Sequence, residues 1–115
     1  MRNLVSSIRR RYTAHILVVY EGDDVYRNMT TARTTYVRLD GTPGLSAGRN
    51  VMIHYTSTPF IMILDDDVLF HDATNAHTLV DHLLGDATLA LVAGCYYPRD
   101  CYAYNFVTDA NGMRT

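Results

Sequence analysis

Three consecutive carboxylates, Asp65, Asp66 and Asp67, close the apolar run of residues 59–64. Adjacent like charges repel unless a cation binds or water screens them. Asp65 and Asp67 are two residues apart, so extended geometry continuing past Leu64 would point both to one side. Oxygen donors of this kind suit Mg²⁺ or Mn²⁺, ions that keep part of their water shell and bridge substrate phosphates. A solvated acidic loop capping the next helix is the other reading, and the triplet alone does not separate the two.

A second candidate runs through Pro43, Gly44, Leu45, Ser46, Ala47, Gly48, Arg49 and Asn50, from a turn into a helix start. Small residues there let backbone approach a ligand, and a helix N-terminus favours anions. Arg49 is placed to pair with a phosphate, the plainer reading being a surface arginine on an ordinary helix. The segment lacks the Gly-Lys-Ser/Thr ending of a phosphate-binding P-loop and the GxGxxG spacing of dinucleotide binders. A further acidic group, Glu21, Asp23 and Asp24, follows the apolar run HILVVY. His71, the His77/Asp81/His82 group and the tyrosines Tyr96, Tyr97, Tyr102 and Tyr104 rank lower. Surface or half-buried roles account for them equally well.

The elements that must carry these groups alternate. Residues 3–12 predict a helix end with Leu4, Val5 and Ile8 on one face. Residues 15–20 and 59–64 are continuous apolar runs of strand length and predict buried strands. Residues 25–32 are ambiguous, with a short helix as one reading, and residues 34–39 alternate as a strand. DGTPG at 40–44 is a turn, 46–55 a helix, and 74–84 the clearest helix. In that last segment Ala76, Leu79, Val80, Leu83 and Leu84 make the stripe, Asp72 or Thr74 the start and Gly85 the end. Residues 89–97 predict a further strand, and the tail shows no period. Strands alternating with helices give an α/β class with a mostly parallel sheet and helices on both faces, in one domain over residues 1–115. Such sheets bind ligands at the carboxyl ends of strands, where both acidic groups fall.

Composition narrows the field. Hydrophobic residues make up 48% and charged residues 19% of the 115, as in ordinary globular chains. A formal net charge of −2 gives no basic field for nucleic acid. No apolar stretch approaches the roughly 20 residues of a membrane span, so a soluble chain is expected. Cys95 and Cys101 lack zinc-type spacing; free thiols or a disulfide both remain open.

The order of the motifs matters more than either alone. PGLSAGRN, then a helix, then a strand ending in LDDDV resembles the family 2 type of inverting glycosyltransferases with the GT-A fold. Within them it is most similar to the β-1,4-N-acetylgalactosaminyltransferases of the ganglioside-synthesising type, over roughly residues 15–97. The resemblance implies a Rossmann-like nucleotide-diphospho-sugar transferase fold. It further implies a UDP-sugar donor, N-acetylgalactosamine as the first sugar, and a glycan, glycolipid or protein acceptor. Asp67 would bind Mn²⁺ or Mg²⁺ with Asp65, Asp65 would also face the ribose or the metal's waters, and Asp66 would assist. Arg49 would lie near the uridine or its diphosphate. Glu21 and Asp23 sit where the family has acids that contact the base, although YEGDD departs from the usual adjacent pair. A Golgi lumenal setting also follows from the resemblance.

The same resemblance makes the chain look incomplete. The family's first strand precedes the helix at 3–12 and lies between the strands matched by 15–20 and 59–64. Without it, those two strands are expected either to pair directly or to leave a gap. No acid after residue 97 stands in a recognisable base motif, so efficient sugar transfer by this chain alone is not expected. Two alternatives stand beside the transferase reading. One is a nucleotide-sugar or metal binder without turnover. The other is a haloacid dehalogenase-like phosphatase with Asp65 as nucleophile, although its strand normally opens the domain.

Overall fold

The computed structural model describes residues 2–94, 107–109 and 112–114. It divides into two compact units, Met1–Thr74 and Asn75–Thr115.

The first unit opens with α1 (Arg2–Arg9), whose Leu4 and Ile8 are buried one turn apart as the periodicity requires. The surprise on this helix is Ser7, which is buried too. Its hydroxyl donates to Leu4 O at 2.7 Å and accepts the Phe70 N–H at 3.1 Å, so the polar atom is satisfied on both sides. Tyr12 packs its ring edge-on against Phe70 at 5.7 Å, and Arg11 pairs with Asp72 at 3.1 Å. Arg9, at the helix end, donates to the carbonyl of Ala14 at 2.6 Å, to the carbonyl of Arg33, and to Thr34 Oγ1 at 3.0 Å. The helix is thereby tied both to the start of the sheet and to the segment that follows the acidic triplet.

Two strands follow, β1 (Ile16–Tyr20) and β2 (Thr34–Arg38), paired in parallel with Val18 opposite Tyr36 and Tyr20 opposite Arg38. The β-branched, apolar character of ILVVY and TTYVR suits this pleated pair. Partners in register share a face, so Val18, Tyr20, Thr34, Tyr36 and Arg38 lie on one side and Val19 and Val37 on the other. The connection over residues 21–33 is a series of turns and not the short helix that 25–32 allowed. Asn28, at φ 61, explains why: a left-handed residue interrupts helical geometry, and asparagine tolerates it. In place of a helix, this loop lays Tyr26 over the sheet residues. Its ring stacks on Tyr36 at 5.1 Å and meets Tyr20 edge-on at 4.8 Å.

Helix α2 (Leu45–His54) packs on β1, on the Val19 side. Gly48 is the point of approach: a Cβ built there would lie 3.7 Å from Leu39 Cδ1 and 4.0 Å from Val19 Cγ1. These are ordinary contact distances, so helix–sheet packing does not itself demand a glycine here.

Residues 59–64 overturn an expectation. They do not form a strand, and Phe60, Ile61, Met62 and Ile63 are each at least 40% exposed. An apolar run reads as a buried strand only if neighbouring backbone takes its N–H and C=O groups. Among the described residues no ladder joins this run to β1 or β2. Of the two outcomes foreseen, direct pairing is therefore excluded.

The second unit contains α3 (Ala76–Gly85), capped by the Asn75 side chain accepting the His77 N–H at 3.1 Å. The expected start at Asp72 or Thr74 shifts to Asn75, because Asp72 and Thr74 are taken up in the preceding turn. Gly85 closes the helix, as expected, with Asp86 beyond it. Leu84, assigned to the apolar stripe, is exposed. Residues 89–94 form no strand, and 95–97 lie outside the described residues. The tail contributes a small antiparallel pair, β3 (Val107–Asp109) and β4 (Gly112–Arg114), that its sequence period did not announce. Cys95, Cys101 and the tyrosines Tyr96, Tyr97, Tyr102 and Tyr104 also lie outside the described residues. Helices with a small parallel sheet make the class α/β. No helix among the described residues is long and apolar enough to cross a membrane.

Candidate functional site

The carboxyl end of β1, the start of α2 and the acidic triplet supply the groups of the candidate site, all within the first unit. Glu21 follows the last residue of β1. Gly22, at φ 86, turns the chain away, and the Glu21 carboxylate accepts the N–H of Gly44 at 2.8 Å. Gly44 is the N-cap of α2, with φ 85 and ψ 175, a conformation open in practice only to glycine. It offers no capping side chain, and the first turn of α2 holds no acid. Glu21 therefore supplies a carboxylate at this helix start, where unpaired N–H groups favour negative charge.

Arg49 lies one residue past Gly48, on the helix that packs against β1. Its Nη2 reaches Asp65 Oδ1 at 3.5 Å, a long contact, with the two side chains 43% and 54% exposed. Its Nε is enclosed without a hydrogen-bond partner. The guanidinium is thus held loosely by one carboxylate and retains donors for an anion. This contact links the SAGRN helix to the first aspartate of the triplet.

The triplet does not continue a strand. Val68 N–H approaches Asp65 O at 3.5 Å, so Asp66 and Asp67 form the middle of a turn. The two-residue alternation that would have aligned Asp65 with Asp67 does not apply in a turn, because it belongs to extended backbone. The side chains of Asp23, Asp66 and Asp67 carry no hydrogen bond or ion pair among the described residues, and all three residues are exposed. No group of three or more His, Cys, Asp or Glu side chains among the described residues is arranged to hold a metal ion. Two carboxylates on an exposed turn are not a protein cage. Carboxylate oxygens are the donor type that a hard divalent cation takes when water and substrate phosphates complete its shell.

Several groups take structural places. Asp24 accepts the Tyr20 hydroxyl at 2.7 Å and lies 4.0 Å from Arg27. The hydrogen bond to Asp24, then partial burial, then the Asp24 charge hold the Tyr20 phenol above its ordinary range. His71 Nδ1 accepts the Ala73 N–H at 3.3 Å while the His71 backbone N–H donates to Thr74 Oγ1 at 2.8 Å, so the residue shapes a turn. His77, Asp81 and His82 are exposed on α3. The stack of Tyr20, Tyr26 and Tyr36 was not among the residues singled out from sequence. Both strand segments carried a tyrosine in sequence, but only the parallel register puts Tyr20 and Tyr36 on one face.

Comparison with known proteins relates the chain to glycosyltransferases. It is 28% identical over 106 residues to Beta-1,4 N-acetylgalactosaminyltransferase 1 of Mus musculus, covering 92% of this chain and 20% of that protein. It is 30% identical over 94 residues to the Homo sapiens protein of the same name, covering 82% of this chain and 17% of that one. Beta-1,4 N-acetylgalactosaminyltransferase 2 of Mus musculus is likewise 30% identical over 94 residues, with 18% of its length covered. The chain thus spans about a fifth of the length of the curated relatives it matches. No family model matches it, and no solved structure matches it.

Proposed function

We propose that residues 1–74 carry the donor-nucleotide site of a GT-A-type, family 2-like glycosyltransferase, with a Rossmann-like sheet and a UDP-sugar as donor. The observation that carries this reading is the reach of Arg49 from α2 to Asp65. It joins the two motifs whose order resembles that of the transferases, in a chain similar to N-acetylgalactosaminyltransferases. N-acetylgalactosamine is accordingly the first sugar to test, with a glycan, glycolipid or protein as acceptor.

In this reading Arg49 offers its free donors to the diphosphate, for which a planar fork is better shaped than an ammonium. Asp67 and Asp65 would hold Mn²⁺ or Mg²⁺, and Asp66 would add negative charge beside them. The cation supplies neutralisation of the charge that develops on the leaving diphosphate. Asp23, exposed and unpaired, is the acid of the β1 loop left to meet the base or ribose. Deprotonation of an acceptor hydroxyl would need a further carboxylate beyond these. The activity proposed for these residues is donor binding.

Calorimetry with UDP in the presence and absence of Mn²⁺ tests this. Binding is expected to require the metal, and Asp67→Ala is expected to weaken it by about 10- to 100-fold. Equal UDP affinity in Asp67→Ala and wild type would remove the metal role. A phosphoenzyme trapped on Asp65 would favour the phosphatase reading.

A further inference from the structure

We propose that Glu21 is a positioning residue: its carboxylate fixes the start of α2, and with it the placement of Arg49, and does not touch the ligand. The inference rests on the donor-binding reading for its functional consequence. The clamp itself stands on geometry.

Glu21 has a firm base. It directly follows Tyr20, whose backbone carbonyl accepts the Leu39 N–H at 2.8 Å and so continues the β1–β2 ladder. From there its carboxylate reaches across to Gly44, which is distant in sequence, and accepts its N–H at 2.8 Å. That N–H belongs to a residue in a glycine-only conformation, on a turn whose other glycine, Gly41, also has positive φ (68). A turn of this composition has many unfolded alternatives and no side-chain cap of its own. An external acceptor is what holds it. The carboxylate also complements the positive end of the helix, which has no acid in its first turn.

The neighbouring acids cannot stand in. Asp24 is held by the Tyr20 hydroxyl and faces Arg27. Asp23 is exposed, with no partner among the described residues. The consequence passes along one helical turn. Gly44 O accepts the Gly48 N–H at 3.1 Å, Gly48 lies against Val19 and Leu39, and Arg49 is the next residue. The first turn of α2 is thus fixed at both ends, by Glu21 at Gly44 and by the sheet at Gly48. Arg49 leaves from that fixed turn toward Asp65.

The variants Glu21→Gln and Glu21→Ala separate a clamp from a ligand contact. Glutamine keeps a carbonyl oxygen that accepts the Gly44 N–H but removes the charge. Alanine removes both. Two measurements on the 115-residue chain are made: amide hydrogen exchange at Gly44 and across α2 without ligand, and UDP affinity with Mn²⁺. The clamp predicts that Glu21→Ala speeds exchange at Gly44 and weakens UDP binding about five-fold. It predicts that Glu21→Gln stays within about two-fold of wild type in both. Equal loss of UDP affinity in the two variants, with Gly44 exchange unchanged, would overturn it in favour of a direct charge contact. Unchanged exchange at Gly44 in Glu21→Ala overturns it outright. If the wild-type chain binds no UDP, the donor-binding reading falls. The exchange data still decide the clamp, with loss in alanine and retention in glutamine upholding it.

Discussion

At the scale of single residues, charge partners separate groups held for structure from groups left for chemistry. Arg49 and Asp65 are both substantially exposed and their contact is long, so solvent screens it and it contributes only about 0–1 kcal/mol to stability. Arg49→Ala is therefore expected to leave the thermal midpoint within a few degrees of wild type while weakening Mn²⁺-dependent UDP binding by about ten-fold or more. A large loss of stability with UDP affinity retained would assign Arg49 to the fold. Tyr20 makes the opposite case. Its pKa is raised above the ordinary 10.0, first because its hydroxyl donates to Asp24. Stabilisation from this bond is complete below pH 10 and fades as pH rises through the higher folded value. An NMR titration of the Tyr20 ring is expected to show that rise, and Asp24→Ala to bring it back toward the ordinary value. A titration identical in the two proteins would deny the bond. Arg49 and Asp65 were singled out from sequence because of motif order. Their contact was not, because it depends on how α2 is turned against β1.

At the scale of elements, two glycines of one motif part company. Gly44 has the positive φ and extended ψ that side-chain residues avoid, so Gly44→Ala is expected to cost about 1–3 kcal/mol. Gly48 is an ordinary helical position with space at ordinary contact distance for a methyl group, so Gly48→Ala is expected to add up to about 1 kcal/mol. Urea denaturation of the two variants checks both. A stabilised Gly44→Ala, or a strongly destabilised Gly48→Ala, would contradict the backbone geometry described here. Helices α1, α2 and α3 and strands β1 and β2 were legible because their periodicity is a local property. The run 59–64 was misread for a physical reason. Its apolar side chains have strand character, but pairing is supplied by other backbone, and none among the described residues supplies it. The helix reading within loop 21–33 fails because a single left-handed Asn28 outweighs a weak helical period.

At the scale of the molecule, the exposed apolar run has a cost in solution behaviour. Phe60, Ile61, Met62 and Ile63, adjacent and unpaired, form the kind of extended segment that recruits hydrophobic dyes and other chains. The chain is expected to bind such dyes and to self-associate as its concentration rises. Ile61→Lys with Ile63→Lys is expected to lower both, measured by dye fluorescence and analytical ultracentrifugation. No change in either would show that this run is covered in solution. The buried hydroxyl of Ser7 carries a different consequence, one of timing. It joins Phe70 across 63 residues, and Arg11 and Tyr12 reach Asp72 and Thr74 across 61 and 62. Contacts so distant along the chain form only after a long loop has closed, and they are intrinsically slow. During synthesis the segment around the triplet cannot settle until Phe70 has emerged to meet Ser7. The acids are translated before the contacts that anchor them, so the site is among the last parts of this unit to take shape.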